Sequence, residues 1–244
     1  MKVLALYDIH GNSDALEAVL AGPRAGACDA IVVGGDAVPG PFCRAVLDRI
    51  EALTVPVHYL RGNGERETAE AIEATSPPAD DDLGSVTAAI TAAQLGAERA
   101  RALGELPLIV RLDGVLYCHA TPRADDEMVT RASTPERYAE VLADVDAPLV
   151  VAGHTHQQDD RMVGTIRFVN AGSVGLPYEG DGAARWLWMV DGVPELRSTA
   201  YDALAAGNRM LAAGWPDERS VRSALVDPVE PSIVTELFEQ RAHD

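Results

Sequence analysis

Seven residues of metal-binding types stand at the ends of five short apolar runs. Asp8 and His10 follow VLALY, Asp36 follows Ala30–Val33, Asn63 follows Val57–Leu60, His119 follows Val115–Cys118, and His154 with His156 follow Leu149–Ala152. In open α/β sheets, ligands gather outside the carboxyl ends of the strands. Residues two apart in an extended segment point the same way, so Asp8 and His10 are expected to reach one ion together, and His154 and His156 to serve the same cleft. Carboxylate, imidazole and amide oxygen without thiolate suit Mn, Fe, Zn, Co or Ni and do not make a Cys-based structural zinc site. Seven ligands are too many for one tetrahedral ion. They fit two ions sharing a carboxylate, as in hydrolytic sites with ions ~3.5–4 Å apart. Asp36, alone after its run, is the expected bridge. The neighbouring glycines (Gly11, Gly34, Gly35, Gly62, Gly64, Gly153) are expected to let the chain turn at each strand end.

The elements that must position these residues alternate in type. Val3–Tyr7 reads as a strand, followed by a helix capped by Ser13 with Leu16, Val19 and Leu20 on its inner face. Ala30–Val33 is a second strand, and a helix from about Pro41 to Leu53 carries Phe42, Val46, Leu47 and Ile50 at helical spacing. Val57–Leu60 is a third strand, so the pattern predicts βαβ units with parallel pairing. Residues 65–105 are Ala-rich and interrupted by Pro77-Pro78 and Asp80–Asp82, and they are expected to form a helical cover on one side of the site. Leu108–Leu112, the Asp113-Gly114 turn and Val115–Cys118 predict a hairpin. Leu149–Ala152 is a further strand. Thr165–Asn170, Ala184–Val190 and Val193–Leu196 read as antiparallel strands, the last two joined by Asp191-Gly192. Residues 200–244 read as a helical extension without chemistry of their own. No repeat or linker divides the chain, so one domain over 1–244 is expected.

Of the 244 residues, 47% are hydrophobic and 24% charged, enough for a sizeable core. Acidic residues outnumber basic ones 38 to 20, for a formal charge of −18. That balance argues against a grip on duplex nucleic acid or an anionic membrane. It is compatible with phosphate-bearing substrates, because bound dications dominate the field in a cleft. Cys28, Cys43 and Cys118 are far apart, form no CxxC, and are expected to be reduced thiols. Asp8 breaks the N-terminal apolar run before a signal-peptide core forms, and no apolar stretch approaches the ~20 residues of a membrane span. A cytoplasmic protein is expected. His58 and His243 read as structural residues, and Asp80–Asp82 and Asp125–Glu127 as solvated acidic loops. The segment Ala171–Gly175 lacks the first glycine of a nucleophile elbow, and Gly62-Asn63-Gly64 lacks the third glycine of a dinucleotide loop.

Taken in order, DIHGN, GGD, RGN, CHA and GHTH resemble the five blocks of the calcineurin-like metallophosphoesterases, most nearly the small bacterial and archaeal phosphodiesterase-like branch. The resemblance covers roughly Val3 to Val190. One block alone is weak, whereas five in order at strand ends are specific. It implies an α/β (α+β) fold, a four-layer α-β-β-α sandwich of two mixed β-sheets flanked by helices. It also implies two divalent or transition metal ions, manganese first. Asp8, His10, Asp36 and His156 would hold one, and Asp36, Asn63, His119 and His154 the other. The implied reaction is in-line attack on phosphorus by a hydroxide between the metals, with Asp36, Asn12, Asn63 and His119 in the catalytic set. Asn12 is expected to hydrogen-bond a phosphate oxygen, and Asn170 to organise a loop near GHTH. One departure stands out: many relatives carry a histidine after the GN, credited with assisting the leaving group, and here that residue is Gly64. Glu65 and Arg66 lie close by and are the expected substitutes at the substrate. The expected activity is hydrolysis of small phosphodiesters or dinucleoside polyphosphates. The rival readings are a broad monoesterase or protein phosphatase, and a catalytically silent scaffold of the same fold.

Overall fold

Successive residues of a strand face opposite ways, and in the first strand both sides are apolar. The computed structural model describes residues 1–79 and 81–242. In it β1 (Lys2–Leu6) turns Val3 and Ala5 to one side and Leu4 and Leu6 to the other, all buried. Such a strand must be covered on both faces. It lies at the centre of a five-stranded sheet with β2 (Ala30–Gly34) and β3 (Val57–Leu60), both parallel neighbours in sequence. The helices α1 (Ser13–Leu20) and α2 (Cys43–Glu51) make the crossovers and pack Leu16, Val19, Val46, Leu47 and Ile50 against the outer face.

Three helices follow: α3 (Asn63–Glu73), α4 (Leu83–Leu95) and α5 (Ala97–Gly104). The second sheet contains β4 (Ile109–Leu112), β5 (Val115–Cys118), β6 (Leu149–Ala152), β7 (Asp159–Val163) and β8 (Ile166–Asn170), in the order β4-β5-β6-β8-β7. The helix α6 (Pro135–Val141) closes its outer face on Phe168, Val150 and Leu116. The chain then returns to the first sheet through β9 (Ala184–Val190) and β10 (Val193–Thr199), giving the order β10-β9-β1-β2-β3. Tyr7, Val32 and Leu187 meet Tyr117, Val151 and Val169 between the two sheets. Each such side chain, fully buried, contributes about 1.5–3 kcal/mol. The fold is therefore the expected α-β-β-α sandwich of two mixed sheets.

The C-terminal residues form α7 (Ala203–Ala212), α8 (Glu218–Val221) and α9 (Pro231–Arg241). Their apolar sides join Leu176 and Tyr178 in a cluster of their own. No described helix is long and apolar enough to cross a membrane.

Several local expectations are corrected. Residues 166–170 pair in parallel with β6, and their antiparallel partner is β7. β7 escapes a sequence reading because it is an edge strand, DDRMV, with Met162 turned to solvent. The short helix α6 is likewise absent from the sequence pattern. Asn12, not Ser13, caps α1 through its side chain. Asp125 is buried between arginines and is no solvated loop residue. Of the acidic run 80–82, Asp82 caps α4, and Asp80 lies outside the described residues, as does His243. The three cysteines are free, as expected.

Candidate metal centre

Loops after β1, β2, β5 and β6 carry six of the candidate ligands, Asn63 opens α3 just after β3, and hydrogen bonds draw these segments together. Asp8 N donates to Gly35 O at 3.1 Å, and His10 N to Asp36 O at 2.9 Å. Between the sheets, His154 N donates to Asp8 Oδ2 at 2.9 Å. The backbone at the ligands is not extended. Asp8, His10, Asp36, His154 and His156 have φ of 53, 46, 51, 70 and 58°. The only other described non-glycine residues in this region are Asp113 and Asp191, in the hairpin turns. Left-handed backbone at non-glycine residues costs about 1–3 kcal/mol each and clusters at functional sites. Asp8 and His10 thus converge through two left-handed turns, not through strand alternation, and the ligands themselves make turns expected of glycines.

Side chains from these loops form two clusters, Asp8–His10–His156 and Asp36–His119–His154, each with its ligand atoms within 4.8 Å of one another. Asp36 reaches both, with Oδ2 3.6 Å from His10 Nε2 and 3.5 Å from His119 Nε2. Asp8 Oδ1 lies 3.4 Å from His156 Nε2 and 3.7 Å from His119 Nε2. Three rings lean on backbone carbonyls through Nδ1: His10 on Pro39 (3.2 Å), His119 on Gly34 (2.9 Å) and His156 on Leu176 (2.7 Å). A carbonyl only accepts, so these rings hold a proton on Nδ1 and turn Nε2 inward, the orientation of a metal-binding histidine. His10 Nε2 and His156 Nε2 face each other at 3.2 Å. With both rings protonated on Nδ1, two lone pairs this close would be relieved by a proton or a metal ion between them.

The residues fit a metal pair on a further ground. Asp8 Oδ1, Asn63 Oδ1, His119 Nε2 and His154 Nε2 are buried without a hydrogen-bond partner. Unmade bonds of this kind cost about 1–3 kcal/mol apiece, and coordination would satisfy all four. Electrostatics agree. Burial opposes ionisation of Asp8, yet His156 and His119 hold it below the ordinary carboxylate value. Burial likewise opposes the Asp36 carboxylate, and His119 and His10 hold it well below that range. Burial disfavours charge on His119, but Asp36 and Asp8 raise it to about 10. Burial, with His119 nearby, lowers His154 to about 4.

Three residues expected at the substrate have partners within the protein. Asn12 is 1% exposed, accepts from Ala15 N, and gives its amide hydrogens to Gly175 O and Tyr201 Oη. None is left for phosphate. Glu65 is buried and accepts from the backbone N–H groups of Asp36, Ala37, Val38 and Gly62, so it ties the Asp36 loop to the start of α3. Burial, with Asp36 close, raises its carboxyl to about 7. Arg66 spends its guanidinium on Asp125 and Asp126. Gly64 has a steric reason: a Cβ there would lie 2.1 Å from Val38 O, so no histidine fits. Asn170 does organise the GHTH loop, donating to Gly153 O and Thr155 Oγ1. Ser173 is buried and bonded to Asp8 O, a structural residue. His58, in β3, joins neither cluster.

Sequence reasoning missed the supports from the C-terminal residues. Tyr178 stacks on His156, with ring centroids 5.2 Å apart at 13°, and Phe238 of α9 packs edge-on against Tyr178. Gln157, next to His156, donates to Tyr178 O and Pro231 O and accepts from Thr235 Oγ1. Tyr201 holds Asn12. The one available signal was GHTHQ, where a buried amide directly follows a ligand.

Two clusters of candidate ligands over the strand ends of a double-sheet sandwich define the class of site, one that could hold metal ions. Residues 1–190 match the calcineurin-like phosphoesterase superfamily domain. The chain belongs to that superfamily. Among solved structures, a metallophosphoesterase from Sphaerobacter thermophilus aligns over 94% of this chain and 99% of its own, at 24% identity and a TM-score of 0.73. A hypothetical protein from Pyrococcus horikoshii aligns over the same shares at 20% identity and a TM-score of 0.78. At these identities the likeness establishes the fold. No curated protein matches the chain.

Proposed function

We propose that this chain hydrolyses phosphodiesters, ahead of dinucleoside polyphosphates and monoesters, with two metal ions held by Asp8, His10, Asp36, Asn63, His119, His154 and His156. The observation that carries the reading is the set of buried, unpartnered atoms on Asp8, Asn63, His119 and His154, converging with the facing nitrogens of His10 and His156. When bound, the ions supply Lewis acidity toward the phosphoryl oxygens and acidify water. Manganese is the first candidate, with iron, zinc, cobalt and nickel behind it.

Hydrolysis adds water across one P–O ester bond. The water oxygen bonds to phosphorus, the alcohol oxygen departs, and a water proton ends on it. His10, His119 and His156 spend Nδ1–H on carbonyls, and Gly64 offers no side chain. The departing oxygen therefore takes its proton from solvent, which favours esters of the more acidic alcohols. Small phosphate esters in the cytoplasm are the substrates in this reading. The excess of 38 acidic over 20 basic residues disfavours duplex nucleic acid and membrane surfaces.

The test has two parts: metal content of the purified protein, then turnover of bis(4-nitrophenyl) phosphate against 4-nitrophenyl phosphate with added manganese. Two bound ions and a diester preference are expected. A marked monoester preference overturns the substrate order. A metal-loaded protein inert toward both esters leaves the scaffold reading.

A further inference from the structure

A groove of about 630 Å³ runs along α3. Residues three and four apart share one face of a helix, so Asn63, Glu67, Glu70 and Ala71 form a single stripe on α3. Its first member is a candidate ligand, and the other three line the groove. Asn63 Nδ2 donates to Glu67 Oε1 at 3.3 Å, so the groove starts one hydrogen bond from that ligand. Ala88 and Ala89 of α4 form the facing wall, and Pro77 stands among the loop residues that line it. A volume of this order suits one small organic group.

Charge narrows what that group is. Glu67 and Glu70 are the charged side chains among the described residues lining the groove, and no arginine or lysine joins them. The nearby cation, Arg66, is divided among Glu67, Glu70, Asp125 and Asp126. One guanidinium facing four carboxylates leaves the neighbourhood negative. A second phosphate or carboxylate entering here meets repulsion, and an ammonium meets attraction. Ala71, Ala88 and Ala89 offer small apolar surface to a methylated or methylene-bearing body.

Resting on the phosphodiesterase reading above, we infer that the α3–α4 groove receives one ester group of the diester and selects an alcohol that carries an ammonium. The phosphate sits at the metal centre, and the cationic group extends along the Glu67–Glu70 stripe. An ammonium near the ester oxygen also makes its alcohol more acidic, which suits a site without a proton donor at position 64. Dinucleoside polyphosphates, whose second half carries further phosphate, fit this groove worst.

The test uses the full-length, manganese-loaded protein and three glycerol phosphodiesters, of choline, of its neutral isostere 3,3-dimethylbutanol, and of 3-hydroxypropionate. Expected kcat/KM falls in that order, by about fivefold at each step, the size of a part-exposed charge interaction. Glu70→Lys should cut the choline-to-hydroxypropionate ratio about tenfold. Bound manganese should stay within about twofold, because Glu70 does not touch the candidate ligands. Ala89→Trp, which fills the groove from the α4 side, should raise KM for the choline diester while manganese content stays unchanged. Equal rates on the three diesters, or an order that survives Glu70→Lys, overturn the inference and leave the hydrolase reading standing. A metal-loaded wild-type protein inert toward every diester overturns both.

Discussion

The two ligand clusters use the same residue types and are supported in opposite ways. Asp36, His119 and His154 are held from within the sandwich: His119 is fully buried, its Nδ1 leans on β2, and Glu65 pins the Asp36 loop. In the other cluster Asp8 is fully buried, and the side chains of His10 and His156 are 13% and 10% exposed. The outer support of His156 comes from Tyr178, Gln157 and α9. The first site is therefore set by the sheets, and the second by the docking of C-terminal helices. One should bind its ion tightly and early, while the other should respond to changes some 80 residues away in sequence (Phe238 against His156).

The largest way to break this contrast is Asp36→Asn, because Asp36 Oδ2 approaches both His10 and His119. Diester hydrolysis should fall at least ~100-fold and both ions should weaken, beyond what outer-shell changes cost. Isothermal titration with manganese, beside kinetics, reads both, and a variant with one normal site would show that Asp36 does not bridge. Next in size is Gly64→Ala, which puts a methyl against Val38 O and should cost about 1–3 kcal/mol in urea denaturation. An unchanged midpoint would mean that the loop yields.

The third concerns pH. In the metal-free protein the carboxylates raise His119 to about 10. Its contribution to stability is therefore full below ~6.5 and lost as pH climbs through that raised value. Metal entering the buried cluster must expel the proton, so affinity there should rise up to about tenfold per pH unit in this window. Titrations at pH 8 in two buffers of different ionisation heat should reveal roughly one proton released; heats that do not depend on buffer would contradict it. The smallest effect is expected from Phe238→Ala and Thr235→Val. Each should weaken the Asp8–His10–His156 ion by about tenfold or less and spare the other. Equal weakening at both sites would erase the distinction.

Much of the site was legible because strand ends announce themselves. An apolar run closing on Asp, Asn or His is readable as a strand end, and β3, β5, β6 and β9 lie where the run predicts. β7 was illegible because DDRMV, half-buried at the edge of its sheet, contains no apolar run. The partners of Asn12, Glu65 and Arg66 were not legible, for a shared reason. Proximity in sequence to a ligand says nothing about which partner a polar side chain finds first, and backbone N–H groups and carboxylates were nearer than the cleft.

By itself the sequence determined the types and order of the candidate ligands, since these follow from the residues that end each strand, and the resemblance of its five motif blocks implied the sandwich that gathers them. Only the tertiary structure decided that ligands turn through left-handed backbone, that position 64 has no room for a side chain, and that α9 braces His156. Those depend on contacts between segments far apart in the chain, and a hydrogen bond or a clash across such a gap leaves no periodic trace in either segment.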